Sequence, residues 1–371
     1  MTVKLYDDYR LVSARATVTQ CVPGEGFFDI ATDRTVFFPG GGGQEPDLGS
    51  LNGENVITVY EKDGDVFHRI SSPVEAGTEV TLCADWNKRL SDSVIHTGEH
   101  ILSGLALSLF GAKNVGFHMG ADFATADFAI PLDGEKIADL EKAVNRAIRE
   151  NTPVNVSYPD GAGLAALPLR KRPETDEPLR VVEVVGADLC ACCGTHVSRT
   201  GEVGLLKILS AEKLRGGTRL SFICGEAAFD LFCTEHNDVR TLGKMFSAKD
   251  GDVVAHVKKQ ADDLAAASRK IAALTSELAR ASAAALFAAA KEEGGEKYVR
   301  AELELGADAL IPTAEALCAL GKCHVFLSAE GRYVLAASKD SSFDLKAQND
   351  ELRTHGARGG GRDKLFSGRL G

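Results

Sequence analysis

The chain has few aromatic residues, a deficit of positive charge and no long apolar run. Aromatic residues make up 6% of its 371 residues, and 42 Lys and Arg face 53 Asp and Glu, for a net charge of −11. This balance argues against a protein that coats nucleic acid through a broad basic surface, but a local basic patch can still bind a defined RNA. No uninterrupted apolar run approaches the roughly 20 residues of a membrane span, and no leader segment follows Met1. We therefore expect a cytoplasmic globular protein with no membrane partner.

The cysteine pattern does not suit a disulfide framework. Nine cysteines is an odd number, and Cys190, Cys192 and Cys193 crowd together. Reduced thiols that bind metal explain this pattern better than paired half-cystines.

Two short spacings place metal-binding side chains four residues apart. His96 and His100 occur in the run His-Thr-Gly-Glu-His, and Cys192 and His196 occur in Cys-Cys-Gly-Thr-His. Residues four apart share one face of a helix, so the first pair can bind one ion. Imidazole and thiolate ligands suit zinc better than magnesium, calcium or manganese. We predict a Zn²⁺ site formed by both pairs, with Cys193 left open as an alternative to Cys192.

The hydrophobic patterns predict an α+β protein. Short β-type runs fill the first 85 residues, helices are predicted at 91–110 and 134–150, and a long alanine-rich helix at 252–293. The predicted domains are a small β-barrel domain at 1–88, an antiparallel-sheet zinc domain at 89–240, a long helical arm (one helix or a helical hairpin) at 241–295, and a small C-terminal α/β domain at 296–371. Apolar residues recur every seven positions in the arm from Val257 to Leu278, so the sequence leaves both a monomer and a homodimer open.

A run of four glycines stands between aromatic residues and an amide. Phe37, Phe38 and Pro39 precede the glycines at 40–43, and Gln44 follows them. Glycine reaches positive φ without strain and leaves its backbone N–H groups unshielded, so a ligand can approach closely. The flanking residues favour a shaped wall over a flexible linker.

Together these motifs carry a family resemblance. The two metal pairs, the glycine loop and the run from Cys192 to Gly204 resemble the editing domain of alanyl-tRNA synthetase and the free-standing alanyl-tRNA editing proteins. The likeness extends over about residues 1–230, and the long helix and last domain resemble the C-terminal part of that synthetase.

The resemblance implies an aminoacyl-tRNA hydrolase that deacylates mischarged Ser-tRNA(Ala), with Gly-tRNA(Ala) as a second candidate substrate, and spares Ala-tRNA(Ala). It implies that His96, His100, Cys192 and His196 bind Zn²⁺. It also places a set of residues against the aminoacyl group: Thr35, Gly41, Gly42, Gly43 and Gln44. The implied partner is tRNA(Ala) carrying serine or glycine.

Other interpretations remain open at this stage. A zinc peptidase could use His96 and His100 as ligands with Glu99 as general base, and Glu99 is also the candidate catalytic residue of the hydrolase. The chain could instead be an RNA-binding protein with a structural zinc, or edit threonine tRNA. The basic residues predicted to contact RNA are Arg170, Lys171, Arg172, Arg358 and Arg362.

Overall fold

A computed structural model describes residues 1–171 and 179–371 of the chain, which fall into two compact units, 1–238 and 239–371. Both units mix helices with antiparallel strands, so the predicted α+β class is confirmed. The predicted barrel and zinc domains lie together within the first unit.

The N-terminal part of the first unit is a nearly closed β-barrel. Its strands are β1 (Val3–Lys4), β2 (Ser13–Pro23), β3 (Phe28–Thr32), β4 (Arg34–Thr35), β5 (Gly49–Leu51), β6 (Glu54–Val56), β7 (Thr58–Lys62), β8 (Asp65–Ile70) and β9 (Glu79–Ala84). Seven of them form one antiparallel sheet in the order β6-β5-β9-β2-β3-β8-β7. Strand β2 pairs with β9 up to Thr17 and with β3 from Val18, and its register with β3 shifts before Gln20. Such an irregularity bends a strand and helps the sheet to curl.

The rest of the first unit packs helices on two further antiparallel sheets. Its elements are α1 (Trp86–Phe110), β10 (Asn114–Met119), β11 (Ala124–Phe128), α2 (Gly134–Glu150), β12 (Val154–Ser157), α3 (Gly161–Ala166), β13 (Val181–Val184), β14 (Asp188–Ala191), β15 (Leu206–Leu214), β16 (Gly217–Cys224) and α4 (Gly225–Met245). One sheet has the order β10-β11-β16-β15 and the other β12-β13-β14. Apolar residues of α1, α2 and the larger sheet share one core.

Helix α1, which carries the first histidine pair, begins at Trp86 rather than at the predicted Ser91. It begins there because the carboxylate of Asp85 caps its first turn. Two glycines on its surface let other segments approach closely. A Cβ at Gly98 would lie 2.5 Å from Sγ of Cys224, and one at Gly104 would lie 2.1 Å from the carbonyl oxygen of Ala187. The turn between β13 and β14 therefore packs directly on the helix.

The second unit contains one six-stranded sheet. Its elements are α5 (Val253–Ala289), β17 (Lys291–Glu293), β18 (Glu296–Glu302), α6 (Leu310–Leu320), β19 (Cys323–Ala329), β20 (Arg332–Ala337), α7 (Leu345–Thr354), β21 (Arg358–Arg362) and β22 (Leu365–Arg369). The strand order is β17-β18-β19-β20-β22-β21, with only β18 and β19 parallel. Gly294 and Gly295, where the sequence predicts a boundary, instead form the turn between β17 and β18 at φ 62° and 78°.

Helix α5 is one uninterrupted helix of 37 residues rather than a hairpin. Ala279 and Ala283, near its C-terminal end, are buried, whereas Val257, Leu264 and Ile271 are exposed. By length and composition alone α5 could cross a membrane. One such helix is weak evidence for a membrane-spanning segment.

Candidate metal centre

The structure brings the two predicted metal pairs together. The candidate ligand atoms of His96, His100, Cys192 and His196 all lie within 4.8 Å of one another. Sγ of Cys192 is 3.4 Å from Nε2 of His96 and 3.4 Å from Nε2 of His196. Ligands bound tetrahedrally to zinc at about 2.0–2.3 Å stand roughly 3.3–3.8 Å apart. The donor set and its spacing therefore fit a zinc ion. Cys192, and not Cys193, belongs to this cluster.

Two of the three imidazoles are oriented by neutral acceptors. Nδ1 of His96 donates to Oε1 of Gln44 at 2.9 Å, and Gln44 is itself held by both the backbone N–H and the hydroxyl of Thr195. Nδ1 of His196 lies 3.3 Å from Oγ1 of Thr97. With Nδ1 occupied, each ring presents Nε2 to the other ligands, which is the arrangement found around protein-bound zinc.

The third imidazole contacts a carboxylate. Nδ1 of His100 lies 2.8 Å from Oδ2 of Asp188, although the two groups do not meet the geometry of a hydrogen bond. The guanidinium of Arg170 donates to both oxygens of Asp188, at 2.7 and 3.0 Å. Asp188 has no recognisable signal in the sequence, because it joins the site through the turn that packs on Gly104.

The side chains of the cluster shift one another's pKa values. Burial opposes ionisation of the Cys192 thiol, but the imidazoles of His96, His100 and His196 lower its pKa well below its usual value. Burial also lowers the pKa of His196, to about 3, so this ring is a neutral donor. For His100, the negative charges of Cys192 and Asp188 outweigh burial and raise the pKa well above its usual value.

The loop that carries the second pair needs Gly194 and Arg180. A Cβ at Gly194 would lie 2.2 Å from Cε1 of His96 and 2.8 Å from Oε1 of Gln44. Nη1 of Arg180 donates to the carbonyl oxygens of Cys192 and Gly194, at 2.8 and 2.9 Å. Glycine therefore allows the loop to approach the histidine ring, and the buried arginine holds it there.

The glycine loop lies beside the cluster in a conformation that only glycine adopts readily. Residues 40–43 all have positive φ, between 61° and 134°. Gly41 and Gln44 exchange two backbone hydrogen bonds, and a Cβ at Gly43 would lie 2.7 Å from the carbonyl oxygen of Phe117. Gly41 and Gly42 pack next to Sγ of Cys193.

A buried ion pair fixes this loop to α1. Arg89 and Asp47, both fully buried, form a two-point ion pair. Asp47 also accepts from the backbone N–H of Phe38 at 2.6 Å, and Arg89 donates to the carbonyl oxygen of Val36 at 2.5 Å. The start of α1 and both ends of the glycine loop are therefore joined.

A cavity of about 260 Å³ opens onto the cluster. Its lining residues are Gly42, His96, Glu99, His100, Asn114, Gly116, Phe117, Arg170, Lys171, Cys190, Ala191, Cys192 and Cys193. Oε1 of Glu99 accepts from Ser103 and from Asn114 at 2.5 and 2.9 Å. The other carboxylate oxygen, Oε2, stands 3.8 Å from the Arg170 guanidinium.

Four of the five predicted substrate-binding residues do not line this cavity: Thr35, Gly41, Gly43 and Gln44. The hydroxyl of Thr35 is fully buried in the barrel, where it bonds to Nε2 of His68 at 2.8 Å and to the backbone N–H of Phe37 at 3.0 Å. The amide of Gln44 is occupied by His96 and Thr195. Of the glycines predicted to contact the substrate, Gly42 lines the cavity.

The residues predicted to bind RNA fall in different places. Arg170 is buried in the cavity wall, and Lys171 lines the same cavity. Arg172 lies outside the described residues. Arg358 and Arg362 are exposed on the edge strand β21 of the second unit.

Comparison with known proteins agrees with the resemblance seen in the sequence. The model of a family described as "Threonyl and Alanyl tRNA synthetase second additional domain" matches residues 179–220, which include Cys192 and His196. Alanyl-tRNA editing protein Aarsd1-B of Xenopus laevis is 29% identical over 286 residues, which cover 73% of this chain and 69% of that protein. Alanyl-tRNA editing protein Aarsd1 of Danio rerio is 34% identical over 226 residues, covering 56% of this chain and 55% of that protein. The chain is similar in sequence to the alanyl-tRNA editing proteins.

The alanyl-tRNA editing proteins share this region with a ligase. Alanine--tRNA ligase of Halobacterium salinarum is 32% identical over 252 residues, which cover 62% of this chain and 26% of the ligase. The matched part of this chain thus spans about half of the zebrafish editing protein and about a quarter of the ligase.

Proposed function

We propose that this protein hydrolyses the ester of mischarged tRNA(Ala) in the cytoplasm, removing serine and, as a second substrate, glycine, while sparing alanine. The convergence of His96, His100, Cys192 and His196 beside a small cavity supports this proposal. The similarity to alanyl-tRNA editing proteins supports the choice of tRNA.

Zinc is the cofactor in this proposal. Four protein ligands would complete a tetrahedral site, so the bound ion would organise the cavity wall and would act as a Lewis acid only through a fifth position. The remaining work is done by residues of the cavity wall. An aminoacyl ester is already activated, and the protein needs to orient it and to direct a water molecule. Glu99 lines the cavity and is our candidate for receiving the proton of that water.

Selectivity for serine requires a group that bonds to its hydroxyl, because alanine would leave that group unpaired. Thr35 and Gln44 have their polar atoms occupied. We propose Asn114 for this role, since its Nδ2 donates to Glu99 and Ser103 while its Oδ1 remains an acceptor on the cavity wall.

The contacts of the second unit with RNA are also part of the proposal. Arg358 and Arg362 on β21 are exposed, and we assign them to binding of tRNA phosphates.

One experiment tests the main proposal. Purified protein is incubated with Ser-, Gly- and Ala-tRNA(Ala), with chelator and after restoration of zinc. We expect hydrolysis of Ser-tRNA(Ala) that stops with chelator and returns with zinc, and stable Ala-tRNA(Ala). A peptide mixture and Ser-tRNA(Thr) run in parallel. Cleaved peptides would support the peptidase, and preference for Ser-tRNA(Thr) would support threonine editing.

A further inference from the structure

Arg170 has a place in the structure that its sequence pattern does not indicate. It occurs in a basic run that suggests an exposed RNA contact, yet its side chain is only 10% exposed. Nε and Nη2 donate to the two oxygens of Asp188, at 2.7 and 3.0 Å. A two-point bond of this kind fixes the plane of the carboxylate as well as its position.

We infer that Arg170 is a positioning residue for the metal centre, acting through Asp188 on His100. Asp188 lies 2.8 Å from Nδ1 of His100, and the side chains of Asp188 and His100 are 1% and 2% exposed. The carboxylate that contacts this imidazole is thus itself oriented by Arg170. The inference rests on the proposed function in taking the four-donor cluster as a zinc site.

Charge gives a second reason for an arginine at this position. Asp188 and Glu99 are both buried, and Nη2 of Arg170 stands 3.0 Å from Oδ2 of Asp188 and 3.8 Å from Oε2 of Glu99. An unpaired buried carboxylate is strongly destabilising. One guanidinium therefore compensates the charge of both carboxylates.

A purely structural role for Arg170 makes a different prediction. The backbone N–H of Arg170 already bonds to the carbonyl oxygen of Leu189 at 2.8 Å, which holds the segment on β14 without the guanidinium. If the side chain only stabilised the fold, its replacement would lower stability and leave the metal affinity of the folded protein unchanged.

The test compares Arg170→Lys with a matched control in the same unit. Arg219 makes a two-point bond to Asp127, at 2.7 Å for both contacts, on the sheet formed by β11 and β16. Arg219→Lys therefore removes a two-point bond of the same geometry and keeps the positive charge, but at a position away from the metal-binding cluster. Zinc affinity of each full-length variant is measured by competition with a chromophoric chelator, and the visible spectrum of the Co²⁺ form is recorded.

We expect Arg170→Lys to weaken zinc binding by roughly 10- to 100-fold, as for other residues that orient a metal ligand. The Co²⁺ spectrum should shift in Arg170→Lys and not in Arg219→Lys. Because Arg170 acts through Asp188, Arg170→Lys should have less than about a twofold effect in an Asp188→Asn background.

Two results would overturn the inference: zinc affinity of Arg170→Lys within twofold of the parent protein, or an undiminished effect in the Asp188→Asn background. If Arg170→Lys does not fold, the near-isosteric variant Asp188→Asn tests the same contact to His100. Full zinc affinity in Asp188→Asn would then refute the inference. The measurement uses no tRNA, so failure to hydrolyse Ser-tRNA(Ala) would refute the proposed function separately.

Discussion

Gly194 shows how strongly one residue can control the metal centre. A Cβ at this position would stand 2.2 Å from the ring of His96, so Gly194→Ala must displace either the histidine or the loop carrying Cys192. We expect this variant to purify with much less than one zinc per chain, measured by elemental analysis, and to lose Ser-tRNA(Ala) hydrolysis. Gly134→Ala is the control, since a Cβ there meets nothing within 4 Å. A full zinc complement in Gly194→Ala would mean that the ligands are arranged differently.

His68 predicts a pH dependence of stability in the barrel. Burial lowers its pKa to about 4. A histidine whose folded pKa lies below its unfolded value of about 6.5 stabilises the fold above that value, and this contribution is lost as the pH falls towards 4. The loss between pH 7.5 and pH 5 is roughly 2 kcal/mol for this one group.

Urea unfolding of the parent protein and of His68→Gln at both pH values measures this contribution. The parent should lose roughly 2 kcal/mol more stability than His68→Gln on acidification. Because Thr35 bonds to His68, Thr35→Val should also lower stability while leaving serine hydrolysis by the folded protein largely unchanged. Equal pH dependence of the parent and His68→Gln would contradict this explanation.

At the scale of elements, the sheet register collects three arginines that the sequence separates. Arg369 on β22 stands directly opposite Arg332 on β20 and Arg358 on β21, and we call these three residues the arginine row. All three are exposed, and within residues 179–371 no carboxylate lies within ion-pair distance of them. Like charges directly opposite on neighbouring strands destabilise a sheet by a few tenths to about 1 kcal/mol per pair. Bound phosphate would relieve this repulsion.

Arg369→Gln should therefore act in opposite directions on stability and on RNA binding. We expect a slight rise in stability at low salt, and weaker tRNA binding with a salt-dependence slope reduced by about one. Arg353→Gln is the control, because that arginine has Asp350 3.8 Å away on α7. If tRNA affinity did not change in Arg369→Gln, the arginine row would be a solvated surface that does not bind tRNA.

Some features of the elements can be predicted from the sequence. The spacing predicts the metal pairs and their residue types. The predicted bounds of α2, 134–150, agree with the observed helix, in which Asp133 caps the start and Asn151 ends it. The partners of the imidazoles could not be predicted in this way. Asp188 reaches His100 through a turn that packs on Gly104, and Gln44 reaches His96 through a loop fixed by Arg89. Such contacts depend on tertiary packing, which leaves no periodic signal in the sequence.

At the scale of the whole molecule, the candidate metal ligands all lie in residues 1–238 and the arginine row lies in 239–371. This separation predicts that catalysis and tRNA binding can be impaired independently. His100→Ala removes a ligand and should lower the turnover of Ser-tRNA(Ala) by about 100-fold or more, with tRNA affinity within about threefold. Arg369→Gln should raise KM with little change in kcat, because it removes binding that is equal in the ground and transition states.

The double variant His100→Ala/Arg369→Gln makes this prediction quantitative. Changes at sites that share no partner combine additively in free energy, so the effect on kcat/KM should be the product of the single effects within about twofold. Single-turnover hydrolysis and filter binding with the same tRNA preparation provide both quantities. If His100→Ala also weakened tRNA binding tenfold, the metal centre itself would contribute to holding the tRNA. A double variant no worse than His100→Ala alone would show that the arginine row acts on the reaction only through the metal site.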